Sequence, residues 1–218
     1  MKGLLRNNLY ASASNTKTYA AVMLALGLFV VAMDNKVPSL LINYMLISMV
    51  GFSVNGVSCM HEENASKWIK YKLTAPVRRS DVVKSYYITH LLWVSIGVLY
   101  AAVCVSLSVG LHGFPFDKPT DVLMLFIVGI SVSLFMAMLF YPLIYSCGSE
   151  KYGVISFLSV LGAIIIVMAI VSLINYLFDA PLTSLQLVIS GISLLLFAVI
   201  CFLLSCPISI LIFSRKEY

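Results

Sequence analysis

The residues able to do chemistry are few and dispersed. Ser53 follows Gly51 and Phe52, and His90 stands in a later apolar run, which superficially supplies the serine and histidine of a membrane hydrolase. The G-x-S-x-G turn that presents such a nucleophile needs a second glycine, and Asn55 occupies its place. The five cysteines, Cys59, Cys104, Cys147, Cys201 and Cys206, form no C-x-x-C pair and read as small apolar residues, not a disulfide or zinc framework. His61, His90 and His112 are too scattered for a metal cluster. No G-x-x-x-x-G-K-[ST] phosphate loop occurs, so these residues are not expected to hydrolyse ATP alone. Asn55, His90 and Asn175 remain as polar residues inside apolar runs. Hydrogen bonding between helices is the favoured role there, with a cargo path as the alternative.

The surroundings of these residues are hydrocarbon-like. The 218 residues are 61% hydrophobic and 11% charged, against about 25% charged in ordinary soluble domains. Six segments reach the roughly 17–25 apolar residues that a spanning helix needs. They run from about Thr16 to Met33, Pro38 to Met60, Val82 to Leu111, Asp121 to Tyr145, Tyr152 to Phe178 and Leu182 to Phe213. Pro38 suits a first helical position and Ser80 an N-cap. The expected fold is all-α, a single six-span domain over 1–218. No convincing cleavage site follows the first run, so it is expected to be a retained helix. The last segment would reach roughly 48 Å at 1.5 Å per residue. Its start is therefore expected to be interfacial or re-entrant, and Pro207 to kink its end. Gly97 with Ala101, and Ser133 with Ala137, have the small-xxx-small spacing that lets helices approach closely.

Charge fixes the expected orientation. Twelve of the 14 Lys and Arg fall in the N-terminus, the loop between spans 2 and 3, the loop between spans 4 and 5, and the C-terminus. Only Lys36 and Lys118 fall on the other side. The positive-inside rule then places both termini in the cytoplasm, and five or seven spans would spoil the asymmetry. No Asp, Glu, Lys or Arg lies in mid-span. A charge there costs at least about 2.5–3.5 kcal/mol and usually marks an ion pathway, so proton- or sodium-coupled transport is disfavoured.

The sizeable hydrophilic loop runs from His61 to Asp81. Its first part has the pattern of a short helix. Asn64 would cap it, Glu62 and Glu63 would sit near its positive pole, and Lys67, Lys70 and Lys72 near its negative pole. Pro76 would stop it. Trp68, Tyr71 and Lys72 would share a face. An interfacial helix touching anionic lipid is one reading. A docking anchor for a cytoplasmic partner is the sharper one.

From Glu62 to Tyr87 the chain resembles the loop between the second and third spans of ABC-2 type permeases, in particular their compact six-span bacterial group. The matching residues are Glu62, Glu63, Trp68, Lys70 and Tyr71, then Pro76-Val77-Arg78-Arg79, then Val83. A second match is Pro142-Leu143 followed by Gly148, Ser149, Glu150 and Lys151. The N-terminus, with Leu4, Leu5 and Leu9, fits the amphipathic interfacial helix (here about 2–14) that opens such permeases. Two features depart from the pattern. Tyr86, not a base, precedes Tyr87, with Lys84 earlier; and Asn7 and Asn8 replace a basic-acidic pair.

The resemblance implies the membrane subunit of an ATP-driven exporter in a bacterial cytoplasmic membrane. This chain would bind no cofactor; ATP and Mg would belong to a separate ABC ATPase dimer. Glu62, Glu63, Lys67, Trp68, Lys70, Tyr71, Pro76 and Arg79 would dock that ATPase, with Gly148, Glu150 and Lys151 as a smaller contact. A second permease, identical or paralogous, and membrane lipid would be the other partners, with no nucleic acid. The uncharged spans suit a hydrophobic or amphipathic cargo such as a peptide or antimicrobial compound. The alternatives are a carrier working without ATP and a regulatory or immunity membrane protein.

Overall fold

The computed structural model describes residues 2–33, 39–65, 78–113, 116, 118–178 and 183–215. Among them all regular structure is helical. Helix α1 covers Lys2–Met33, α2 Ser39–Ala65, α3 Arg79–His112, α4 Pro119–Cys147, α5 Tyr152–Leu177 and α6 Ser184–Arg215, with a 3-10 turn at Ser149–Lys151 before α5. All six helices contain a stretch long and apolar enough to cross a membrane. Backbone groups in lipid have no water to bond, so continuous helix is the way such a chain satisfies them.

Four boundaries differ from the sequence expectation. Residues 2–14 are continuous with the first span in one 32-residue α1, and the candidate span within it starts at Asn15. Side chains of this segment bond to α2 and α3, which holds it in line with the span. Helix α2 continues five residues past Met60, so Glu62, Glu63 and Asn64 belong to its end. The helix expected to follow Asn64 lies outside the described residues. Ser80 lies inside α3, whose N-cap is Arg78 in extended conformation without a side-chain cap bond. The last segment starts at Ser184 and is one helix of 32 residues that holds Pro207 inside it.

The helices pack as two groups sharing a seam. Helix α1 lies on α2 and α3, and α2 packs extensively on α3. Helix α4 packs extensively on α6 and also on α5. The groups meet where α2 touches α4 and α3 touches α6. The α2–α3 crossing is close because Gly97 has no side chain. A Cβ there would stand 2.9 Å from the Ser48 carbonyl oxygen and 3.0 Å from the Met49 Cα, both backbone atoms that cannot swing away. Phe52, 0% exposed, packs beside it and stacks on Trp93.

Polar side chains tie the seam inside the apolar bulk. Tyr87 on α3 meets Ser205 and Ser209 of α6 at 2.8 and 2.9 Å. Ser205 also donates to the Met138 carbonyl of α4 at 2.9 Å. Ser133 of α4 donates to the Met49 carbonyl of α2 at 3.3 Å. Interhelical bonds in lipid contribute about 0.6–2 kcal/mol each, and they fix which faces meet.

Overpacking a tight crossing costs about 1–3 kcal/mol. Gly97→Val should therefore lower the thermal stability of the detergent-purified protein by several degrees. Gly110→Ala should leave it unchanged, because nothing lies within 4 Å of a Cβ there. Equal melting temperatures for the two variants would show that Gly97 does not set the crossing.

Candidate functional site

One end of the bundle gathers most of the hydrophilic side chains. There the start of α1 meets the end of α2 and the start of α3, the end of α2 meets the start of α5, and the start of α3 meets the end of α6. The segment 66–77 joins α2 to α3 at this end.

Glu63 is the centre of the arrangement. It sits two residues from the end of α2 and is only 2% exposed. Its carboxylate accepts a bond from the Asn7 amide of α1 at 2.8 Å and one from the Tyr86 hydroxyl of α3. Three helices therefore meet on one carboxylate. Tyr86 is itself 0% exposed, and its carbonyl accepts from the Tyr141 hydroxyl of α4 at 3.1 Å. A buried carboxylate is costly unless donors satisfy it, and bonds to it are among the stronger kind.

Two more contacts fasten α1 beside it. The Asn8 amide donates to the Ser85 hydroxyl of α3 at 2.9 Å. The Asn15 amide donates to Glu62 at 3.0 Å. Asn7, Asn8 and Asn15 fall at positions i, i+1 and i+8, close to one face of α1. Ser12 and Thr16 bond back to carbonyls one turn earlier, so their hydroxyls need no outside partner.

The other strands of the loop base reach the second group of helices. His61 packs its ring on Tyr152, the first residue of α5, with centroids 4.9 Å apart. Arg79, first in α3, donates to the Ser214 carbonyl near the end of α6 at 3.1 Å. Gly148 ends α4 with φ +91°, a backbone conformation that favours glycine, and its N–H returns to the Ile144 carbonyl at 3.0 Å. Glu150 and Lys151 follow on the exposed 3-10 turn, which touches α2.

The residues expected to dock a partner thus separate. Glu62, Arg79, Gly148, Glu150 and Lys151 lie at the gathered end, while Glu63 is turned inward to Asn7 and Tyr86. Lys67, Trp68, Lys70, Tyr71 and Pro76 lie outside the described residues. Asn7, Asn8, Asn15 and Tyr86, outside the expected docking set, also belong to this end; the paired asparagines at the start of an apolar helix are their visible signal in the sequence.

The three expected mid-span polar residues also separate. Asn175 is exposed on α5, not buried, because α5 packs along one narrow face and leaves the rest outward. Asn55 is half-buried and donates to the Gly51 carbonyl of its own helix at 3.0 Å. His90 is fully buried where α2, α3 and α4 meet. Its Nε2 lies 3.3 Å from the Ser53 hydroxyl and 3.2 Å from the Ser133 carbonyl. The serine and histidine do meet, but within a helix contact closed to solvent. No group of three metal-ligating side chains occurs among the described residues.

Compared with known protein families, residues 3–214 match the model described as ABC-2 family transporter protein. No curated protein and no solved structure matches the chain.

Truncating Glu63 would remove the carboxylate that the Tyr86 hydroxyl and the Asn7 amide bond, a loss of about 1–3 kcal/mol. Glu63→Ala should lower the melting temperature clearly, and Glu62→Ala, at a half-exposed side chain, by much less. Thermal unfolding of both purified variants checks the order. A larger drop for Glu62→Ala would remove Glu63 from the centre of the site.

Proposed function

Because the chain belongs to the ABC-2 transporter family, we propose that it is the permease subunit of an ATP-driven exporter whose motor is a separate cytoplasmic ATPase dimer. ATP and Mg belong to that partner. The ATPase docks on the segment 66–77 and its flanks, and a second permease, identical or paralogous, completes the path. The observation that carries this reading is the convergence of α1, α2, α3, α5 and α6 on the two ends of that segment.

Docking and transmission fall to different residues. Trp68, Tyr71, Lys67 and Lys70, with Pro76 closing the segment, supply the aromatic and charged anchors expected of an interface centre. Glu62, Arg79, Glu150 and Lys151 line its rim. Glu63 does not touch the ATPase; it joins α1 to α2 and α3, so that a push on the loop moves three helix ends together. Nucleotide closure then rocks the helix groups between two arrangements, a packing switch.

The cargo is hydrophobic or amphipathic, in keeping with spans free of mid-membrane charge. A peptide or antimicrobial compound fits better than a small ion. Both termini lie in the cytoplasm of a bacterial cell, as the distribution of Lys and Arg supports.

Interface anchors of this type carry about 2 kcal/mol or more, roughly a thirtyfold change in affinity. Lys67→Glu combined with Trp68→Ala should therefore strip the ATPase from the purified permease while the permease stays folded. Affinity purification followed by mass spectrometry of the bound proteins reads the result. An ATPase retained at the native level by the double variant would overturn the docking assignment.

A further inference from the structure

A groove between α3 and α6 differs from the other outward-facing surfaces. Its volume is about 210 Å³, and it is lined by Lys84, Tyr87, Ile88 and Leu91 of α3 and Phe202, Leu203 and Cys206 of α6. Lys84, Ile88 and Leu91 recur at i, i+4 and i+7, so they form one stripe along α3. From Lys84 to Leu91 the stripe is about 10 Å long at 1.5 Å per residue. That is about two-thirds of one leaflet of a roughly 30 Å hydrocarbon core.

The groove has a charged mouth and an apolar floor. Tyr87 turns its hydroxyl away to Ser205 and Ser209 and presents its ring. Phe202 packs against that ring with centroids 5.1 Å apart. The side is open to the membrane, since Ile88 is 39%, Leu91 42% and Leu203 61% exposed. Lys84 is exposed and makes no ion pair among the described residues. Asp81, three residues nearer the start of α3, is the nearest acidic residue along that helix. By contrast, a groove of about 240 Å³ on α1 and α3, with Leu24, Gly27, Leu99 and Val103 in its walls, carries no charged residue. Nothing there would select a headgroup.

We propose that the α3–α6 groove binds one anionic phospholipid, an acyl chain lying over Tyr87 and Phe202 and the phosphate pairing with Lys84. The shape takes a hydrocarbon chain, and the lone ammonium at its mouth takes a negative headgroup. The site lies in the cytoplasmic leaflet, where anionic lipids attract basic side chains; this placement rests on the orientation proposed above. Bound lipid would wedge against the contact that joins the two helix groups through Tyr87 and Ser205. Lipid charge would then bear on the stability of that contact.

The test is native mass spectrometry of the full permease in detergent, titrated with phosphatidylglycerol or phosphatidylcholine. The native protein should retain phosphatidylglycerol about fivefold better, the preference expected of one lysine at the headgroup level. Lys84→Gln should erase the preference, and Lys84→Arg should keep it. Leu203→Trp, at an exposed position that tolerates bulk, should reduce retention of both lipids. Lys17→Gln, at an exposed position on α1 outside the groove, should leave the preference unchanged. Equal retention of the two lipids by the native protein overturns the proposal, as does an unchanged preference in Lys84→Gln. A change in permease dimer mass with Lys84→Gln or Leu203→Trp, without change in lipid, would assign the groove to a second copy and overturn it too. The ATPase-docking variant should retain lipid normally, so the two proposals fail separately.

Discussion

A carboxylate at the edge of a membrane span must find donors or remain in water. Glu63 finds them in Asn7 and Tyr86, on two different helices, and so fixes where α1, α2 and α3 end relative to one another. The consequences extend outward from it. Helix α1 runs unbroken from Lys2 to Met33, with Asn7 and Asn8 held on its neighbours. Helix α2 keeps its helical form to Ala65. The segment that follows is then tethered to a buried, satisfied group at one end and to Arg78 and Arg79 at the other.

Within the apolar bulk the same logic recurs at smaller cost. His90 with Ser53 and Ser133, and Tyr87 with Ser205 and Ser209, are hydroxyl and imidazole contacts between helices that lipid alone would not register. Hydrocarbon gives no hydrophobic preference for one helix face over another, so small residues and polar pairs choose the faces. Gly97 brings α2 and α3 together, and Tyr87 sets α3 on α6. The two helix groups share one buried apolar cluster that runs through α2, α3, α4, α5 and α6, and these few directional contacts set which faces meet within it.

The spans were legible in the sequence because twenty apolar residues between polar breaks admit few other structures. Their ends were less so. Glu62 and Glu63 have the composition of a helix start, and only the donors on Asn7, Asn15 and Tyr86, distant in sequence, turn them into the end of α2. Asn7 and Asn8 stood out as departures from a family pattern, but their partners could not be read from spacing, since they lie 56 and 77 residues away. Asn175 looked buried by its apolar neighbours. In a membrane helix apolar neighbours face lipid as readily as protein, so hydropathy does not distinguish the two. Ser53 and His90, 37 residues apart in sequence, meet in a buried helix seam that spacing alone does not reveal.

The central claim is that the Glu63 contact makes the ends of α1, α2 and α3 one rigid lever between the ATPase and the membrane. Asn8 and Ser85 meet across that lever at 2.9 Å. The most direct measurement is ATP hydrolysis by the reconstituted permease–ATPase complex carrying Asn8→Cys with Ser85→Cys, before and after oxidation to a disulfide. A rigid lever predicts that the cross-linked complex turns over at the rate of its reduced form. Loss of hydrolysis on cross-linking, restored by reduction, would show that α1 and α3 must part during the cycle and would contradict the account.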